Sequence, residues 1–171
     1  MTYYVVLTAA GEVAVAAAIA SNTPVAIATM ALGDGGGAPV TPVENRSALV
    51  NEVNRGPVES LTPHPTNPNW ITAQRIIGPA VGGWTVREVG LFDTAGTLIA
   101  YGNFPPSYKP ILAEGSGKEL IVRTTFEVAS TAAIALSIDP SVVLATQTYV
   151  QQQIAALQRA NRARRFFHNQ S

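Results

Sequence analysis

The glycine-rich run Gly33–Ala38 follows a strand-like segment and superficially fits the fingerprint of loops that bind the pyrophosphate of a dinucleotide. That chemistry needs a helix directly after the glycines, because the helix N-terminus holds the phosphate. Here Pro39 and Pro42 follow, and no helix is predicted before about position 43. The run therefore predicts a tight turn with positive φ angles and no nucleotide site. Asp34 lacks the further oxygen ligands that calcium requires.

The remaining reactive side chains form no catalytic set. His64 and His168 are the only histidines, and no pattern pairs either with a nucleophile and an orienting carboxylate. Arg87 and Glu88 are adjacent in a predicted strand, so they point to opposite faces and each is expected to pair with other strands. The chain has no cysteine, which excludes disulfides and thiolate metal sites. No metal or cofactor is expected, and the chain is not predicted to be an enzyme.

Composition indicates a protein that works in an assembly. Charged residues make up 13% of the 171 residues, whereas about 25% is typical of a soluble domain. Either the chain is unusually rich in alanine or part of its surface is covered by partners, and both explanations apply. A net charge of zero argues against a nucleic-acid-binding domain.

Neither a membrane anchor nor an export signal is expected. The apolar run Val13–Ala20 is far shorter than the ~20 residues that span a bilayer. A secretory signal has basic residues before its apolar stretch, but the first basic residue here is Arg46. The protein is therefore expected to be made in a cytoplasm and to stay soluble until it assembles.

The first part of the chain predicts two helices. A short strand at Tyr3–Leu7 precedes a helix over Ala9–Ala20, for which Thr8 is the N-cap and Asn22 and Pro24 the stop signals. A strand over Val25–Leu32 ends at the glycine run. Helical spacing of its apolar residues then predicts a second helix over Val43–Val53. The proline-rich stretch from residue 57 to residue 69 is predicted as a loop.

The second part predicts strands in hairpin order. Four strand-like runs cover Trp70–Ile77, Trp84–Phe92, Leu98–Phe104 and Leu120–Val128. Asp93–Gly96 is a typical hairpin turn between the second run and the third. Pro105–Gly117 is predicted as a long loop, and Ala132–Ile138 as a final strand paired with residues 120–128. The fold class predicted for residues 1–140 is α+β, a mainly antiparallel β domain with two N-terminal helices.

Residues 141–171 are predicted to form a separate C-terminal, trimerising helix. Val150, Ile154 and Leu157 are spaced four and then three apart, as in a coiled-coil seam. The next seam position is Asn161, a polar residue that would fix the register, and the one after it is Arg164, where the seam ends. The pattern fits an amphipathic helix packed on its own domain equally well, because only about two heptads are usable.

The last residues are basic and aromatic. Arg159, Arg162, Arg164 and Arg165 are read first as a solvated helix end that suits the negative helix dipole. A partner-binding tail is the alternative. Phe166 and Phe167 are unusual in such a position, and two exposed aromatic rings would indicate docking or a continuing structure.

Several segments in order make the chain resemble the phage tail-collar fibre family, the N-terminal domains of tail fibres from contractile-tailed phages and R-type pyocins. The matching segments are Leu7–Gly11, Met30–Gly37, Ala48–Val53, Val81–Asp93, Leu98–Phe104, Ser107–Pro110, Ala113–Gly117 and Ile138–Val150. No segment is decisive by itself, but their ordered combination is specific.

The resemblance implies a structural virion protein. In this family the domain lies at the virion end of a trimeric fibre and anchors it to the baseplate or tail, contributing to host attachment. It implies a homotrimer located in the virion tail, assembled in the host cytoplasm, with tail proteins as partners. The residues proposed for partner contacts are Asp34 in the glycine loop, Tyr108 and Lys109 in the proline-rich loop, and Arg162, Arg165, Phe166 and Phe167. Trp84 and Phe92 are expected in the core.

One departure from the family leaves two possibilities open. Family fibres run on for hundreds of residues, whereas this sequence stops at Ser171. The chain is expected to be either a fragment or a short adaptor that carries a second fibre protein at its C-terminus. Two alternative functions also stay open. A glycan-binding module would use exposed aromatic rings such as Trp70, Trp84 and Tyr108, and a polysaccharide hydrolase would need a pair of carboxylates across a cleft.

Overall fold

The structure is a computed structural model that describes residues 2–111, 115 and 118–137. The proposed seam (Val150, Ile154, Leu157 and Asn161) and the C-terminal contact candidates (Arg162, Arg165, Phe166 and Phe167) lie outside the described residues, as does the proposed boundary at residue 140. The described part is mainly β, with a single α-helix. No helix within it combines the length and the hydropathy needed to cross a membrane.

The N-terminal elements agree with the sequence. Strand β1 (Val5–Leu7) leads into helix α1 (Ala9–Ser21). The hydroxyl of Thr8 accepts a hydrogen bond from the Gly11 amide at 3.0 Å, which caps the helix. Asn22 ends it in the left-handed conformation.

Six strands form the main sheet. They are β1, β2 (Val25–Gly33), β3 (Glu52–Pro57), β6 (Trp84–Asp93), β7 (Leu98–Lys109) and β9 (Ile134–Leu136). Their order is β1-β7-β6-β2-β3, and β9 pairs with the first part of β2. All pairs are antiparallel except β2 with β9.

A second antiparallel sheet contains β4 (Ser60–Pro63), β5 (Trp70–Ile77) and β8 (Leu120–Glu127), in the order β4-β5-β8. Burial alternates strictly along β5 and β8, so one face of this sheet meets the core and the other meets water. One hydrophobic core joins both sheets to α1, whose contributions are Val15 and Ala18.

The second predicted helix is wrong, and with it the fold class of an α+β domain with two N-terminal helices. The segment from residue 43 to residue 51 has turns and bends, and residues 52–57 form β3. The physical reason is a tertiary contact. The Val50 and Asn51 amides donate to the buried Glu88 carboxylate instead of to carbonyls one helical turn earlier.

Three other predictions about loops and strands were also wrong. The predicted loop Pro105–Gly117 begins late, because β7 continues to Lys109 opposite Trp84. Pro105 and Pro106 lie where the register between β6 and β7 shifts, a bulge at which a missing amide donor is tolerated. The stretch from residue 57 to residue 69 contains β4 and is not wholly a loop. The last strand pairs in parallel with β2 instead of forming a hairpin with β8.

Candidate functional site

The carboxylate of Glu88 lies in the interior of the domain, 0% exposed, and accepts four hydrogen bonds. Its Oε1 accepts from the Asn51 amide at 2.9 Å and from the Gly35 amide at 3.3 Å. Its Oε2 accepts from the Val50 amide at 2.9 Å and from the Tyr101 hydroxyl at 2.7 Å. Burial raises the pKa of the Tyr101 phenol, and the adjacent carboxylate raises it further. The phenol therefore stays protonated and remains a donor to Glu88.

The Glu88 carboxylate contacts the glycine loop through the hydrogen bond from the Gly35 amide. Gly35, Gly36 and Gly37 all have positive φ, as the sequence predicted for a tight turn. At Gly33 the requirement is space, because a Cβ there would lie 2.3 Å from Glu88 Oε1. Asp34 Oδ1 accepts from the Gly36 amide at 2.8 Å and from the Asn51 side chain at 2.9 Å. The proposed contact residue Asp34 thus bonds to Gly36 in its own loop and to Asn51 in the segment before β3.

Asp34 is ionised more readily than a free carboxyl. The hydrogen bond from Asn51 contributes most to lowering its pKa. Burial opposes this as the second-largest effect, and the Gly36 amide and the Arg87 guanidinium lower the pKa further. Arg87 reaches the same loop, where its Nη1 donates to the Asp34 carbonyl at 3.3 Å. Arg87 and Glu88 therefore both contact this loop, next to a shift of register in the pairing of β6 with β7.

The predicted pair Tyr108 and Lys109 is divided between surface and interior, because neighbouring residues of a strand alternate in direction. Tyr108 is 56% exposed, whereas Lys109 is 1% exposed and its Nζ donates to the Pro110 carbonyl at 3.1 Å. The Tyr108 side chain is therefore accessible to a partner, whereas the Lys109 side chain is not. Phe92 is buried and Trp84 packs partly buried against the core, as expected for both.

A groove lined by aromatic rings lies where the N-terminus meets the second sheet. Tyr3 and Tyr4, each 43% exposed, line it together with Trp70, Thr125 and Glu127. The groove encloses about 260 Å³. The sequence indicated Trp70 as a candidate binding residue, but it gave no signal for Tyr3, Tyr4 or Glu127.

Asn103 fixes the two tyrosines. Its side-chain oxygen accepts from the Tyr4 amide at 2.8 Å, and its side-chain amide donates to the Thr2 carbonyl at 2.9 Å. Its own backbone amide donates to the Tyr4 carbonyl at 3.2 Å. Gly102 allows this approach, since a Cβ there would lie 2.7 Å from the Tyr4 carbonyl oxygen. These bonds hold the backbone of the N-terminal segment along β7, next to the groove that Tyr3 and Tyr4 line.

His64 positions Trp70 through two contacts. The His64 amide donates to the Trp70 carbonyl at 2.8 Å, and the two rings meet edge to face with centroids 5.4 Å apart. In the second sheet Trp70 lies directly opposite Glu127, and Thr72 lies opposite Thr125 on the same solvent-facing side. Directly opposite Cβ atoms are about 5 Å apart in such a pair, so the indole and the carboxylate are neighbours.

A second groove, of about 380 Å³, runs between α1 and the end of β8. Its walls are mostly apolar, and Glu12 and Glu127 are its only charged residues. The full lining is Leu7, Glu12, Val15, Ala16, Ile19, Asn69, Glu127, Val128 and Ala129. Glu127 lines both grooves, so the two lie next to each other and share that residue. The term composite groove is used below for these two grooves together.

The composite groove is suited to binding and has no evident reaction chemistry. It offers flat aromatic rings, aliphatic walls and two carboxylates, and it contains neither a histidine nor a nucleophile beside a base. Among the described residues, no three His, Cys, Asp or Glu side chains converge as a metal site would require.

Comparison with known proteins agrees with this description. The family described as phage tail-collar fibre protein, N-terminal, matches residues 1–148, a range that contains every described residue. Over 158 residues the chain is 44% identical to a protein of Escherichia phage P2 named probable tail fiber protein. That alignment covers 92% of this chain but 24% of the relative, so the chain spans about a quarter of the relative's length. No solved structure shows significant similarity.

Proposed function

The chain belongs to the phage tail-collar fibre protein family, and from that membership we propose that it anchors a trimeric fibre to the phage tail or baseplate. Membership makes it a tail fibre protein, a structural component of the virion tail. The family match over residues 1–148 is the observation that carries the proposal. Anchoring, trimerisation and a contribution to host attachment are the proposed steps beyond it.

The surface of α1 supports a role inside an assembly. A helix at a protein surface ordinarily carries polar side chains on its outer face. Here Val13 is 70% exposed and Ile19 51% exposed, and the other outward residues are mostly alanines. Glu12 is the only charged residue of the helix. Exposed apolar surface of this kind is typical of a face that another protein covers.

Trimerisation is proposed for the seam Val150, Ile154 and Leu157, with Asn161 fixing its register. Light scattering of the full chain is expected to give about three times the 17.9 kDa of one chain. The double substitution Ile154→Asp with Leu157→Asp is expected to reduce the mass, because a seam does not accept buried unpaired carboxylates.

Gln152→Asp is the matched control for this experiment. It adds one carboxylate, half the charge of the double substitution, two residues before Ile154, at a heptad position that faces water in a coiled coil, and should leave the mass unchanged. A wild-type chain that remains monomeric over a wide concentration range would contradict self-trimerisation. If the trimer survives the double substitution, the proposal of a trimer stands, but its interface lies in other residues.

Anchoring itself is tested by sedimentation. The full chain is mixed with purified contractile tails that lack their fibres, and the pellet is assayed for the chain. We expect saturable co-sedimentation, and none with tails that already carry fibres, because their sites are occupied. Equal binding to both kinds of tail, or to neither, would contradict anchoring.

A further inference from the structure

Two carboxylates of the composite groove have no partner among the described residues. Glu12 and Glu127 lie 115 positions apart in the sequence, yet they line the same groove beside α1. Neither forms an ion pair or a side-chain hydrogen bond within the part of the chain that the structure describes. Glu12 has a local role as well, since a negative charge in the first helical turn favours the helix dipole. Glu127 is on a strand and has no such role.

The cations of the described residues are placed elsewhere. Arg46 lies over the Tyr101 ring and Arg55 over the Phe92 ring. Arg123 donates to Gln74 on the same sheet face as Trp70. No lysine or arginine of the described residues lines either part of the composite groove. The indole of Trp70, beside the Glu127 carboxylate, is therefore not covered by a cation of the described chain.

We propose that the composite groove binds a basic, amphipathic segment of a tail protein, with one Lys or Arg of that segment between Glu127 and the Trp70 ring. A cation in this position gains the attraction of the carboxylate and of the ring face together. Apolar side chains on either side of that cation would occupy the Tyr3–Tyr4 part and the α1 part of the groove. The inference rests on the proposed function, because it names the chemistry of the partner that the fibre would meet.

The lining of the groove favours a peptide over a glycan. A glycan-binding groove needs many polar groups beside its aromatic rings, since sugars present hydroxyls on every edge. The α1 part of the groove is walled by Leu7, Val15, Ala16 and Ile19. The hydroxyl of Thr125 is already bonded to that of Thr72, at 2.9 Å. Aliphatic walls that include two carboxylates match a segment with aliphatic side chains around a cation.

The test follows the indole N–H signals of the full chain in proton–nitrogen correlation spectra. The two tryptophans give two such signals, and Trp70→Phe assigns them by removing one. The probe is a blocked peptide of alternating leucine and arginine. We expect this peptide to shift the Trp70 signal saturably and to leave the Trp84 signal in place. Glu127→Gln is expected to weaken that binding about tenfold, because the charge is lost while the shape is kept.

Glu119→Gln is the matched control, because it removes an exposed carboxylate outside both parts of the groove and should leave binding unchanged. A peptide of alternating leucine and glutamine should bind at least tenfold more weakly than the arginine peptide. Equal binding of the two peptides, or no effect of Glu127→Gln, overturns the inference. A Trp70 signal that moves with neutral oligosaccharides and not with the arginine peptide also overturns it, in favour of a glycan site.

Sedimentation with fibreless tails separates this inference from the proposed function. If the wild-type chain and the Glu127→Gln variant sediment with the tails equally well, anchoring stands and the groove is not its contact. If the wild-type chain does not sediment although the arginine peptide binds, anchoring fails and the basic-ligand chemistry stands. Reduced sedimentation of the Glu127→Gln variant alone supports both.

Discussion

Glu88 shows how one side chain can determine the path of a distant segment. Its carboxylate accepts amides from both the glycine loop and the segment that precedes β3. The bond from the Gly35 amide is buried and those from Val50 and Asn51 are partly buried, and a buried amide that loses its acceptor costs about 1–3 kcal/mol. Every buried side-chain nitrogen and oxygen of the described residues has a hydrogen-bond partner, so this cluster leaves no polar atom unpaired.

Replacing Glu88 by Gln should destabilise the domain by roughly 2–4 kcal/mol. The new side-chain amide keeps the size but puts a donor where backbone donors already point. Urea unfolding followed by circular dichroism would measure the change in the free energy of unfolding. Glu119→Gln, at an exposed position, should change it by less than about 0.5 kcal/mol. A Glu88→Gln variant as stable as the wild type would show that the four bonds contribute little.

At this scale the sequence did not identify the partners of Arg87 and Glu88. Alternation along β6 predicted bonds to other strands, but Arg87 bonds to the glycine loop, and of the four partners of Glu88 only Tyr101 lies on a strand. The backbone amides that bond to Glu88 lie 37 to 53 positions away, and Tyr101 lies 13 positions away on the next strand, so no local pattern identifies these partners. Tyr3, Tyr4 and Glu127 were missed as groove residues, because their proximity depends on the packing of β1 beside β8.

Among the elements, α1 is unusual in how closely it approaches β7. The close approach is at Gly11, where a Cβ would lie 2.0 Å from the Ile99 carbonyl oxygen. The neighbouring Thr8 is fully buried, and its backbone amide donates to the same oxygen at 2.9 Å. The helix therefore begins in direct contact with the sheet backbone.

The substitution Gly11→Ala has two opposing effects, a gain in helix propensity and a steric clash with the backbone of β7. Alanine is favoured over glycine inside a helix by about 1 kcal/mol, but the added methyl group can fit only if α1 moves off β7. We expect a net destabilisation of about 1–3 kcal/mol in thermal or urea unfolding. At Gly78 nothing lies within 4 Å of the added Cβ, so Gly78→Ala should be neutral or slightly stabilising. A stabilised Gly11→Ala variant would mean that the helix shifts at little cost.

Elements with a strong local pattern were predicted well. The capped helix α1 and the strands β2, β5, β6 and β8 lie within one or two residues of their predicted bounds. The strands β3 and β4 were missed because their prolines and polar residues give no strand-like pattern in the sequence. These segments form strands because they pair with the neighbouring strands β2 and β5. β9 was given the wrong partner because a parallel pairing with β2 leaves no local turn signal.

In the described residues as a whole, the two sheets are joined by hydrogen bonds of a buried arginine as well as by apolar contacts. Arg75 is buried on the core side of the second sheet and reaches the main sheet. Its Nη1 donates to the Met30 carbonyl on β2 at 2.8 Å, and its Nη2 donates to the Asn54 side chain on β3. Burial lowers the pKa of this guanidinium, and nearby Glu59 and Glu52 partly offset the effect.

Arg75→Met should lower the free energy of unfolding by about 2–3 kcal/mol, because the buried Met30 carbonyl and the partly buried Asn54 side chain lose their donor while the apolar volume is kept. Arg123→Met is the comparison within the same sheet. Arg123 donates to Gln74 at 2.6 Å on the face that meets water, so its loss should cost less than about 1 kcal/mol. Equal effects of the two substitutions in urea unfolding would show that Arg75 does not join the sheets.

The pairing of the N-terminus with β7 has a consequence for how the protein is made. The hydrogen bond between Tyr4 and Asn103 joins residues 99 positions apart. A ribosome adds about 5–20 residues per second, so the first strand waits roughly 5–20 s for its partner to emerge. During that time Tyr3 and Tyr4 are exposed without their final support. The aromatic part of the groove also contains Thr125 and Glu127 of β8, so it is completed only late in synthesis, after these residues have emerged.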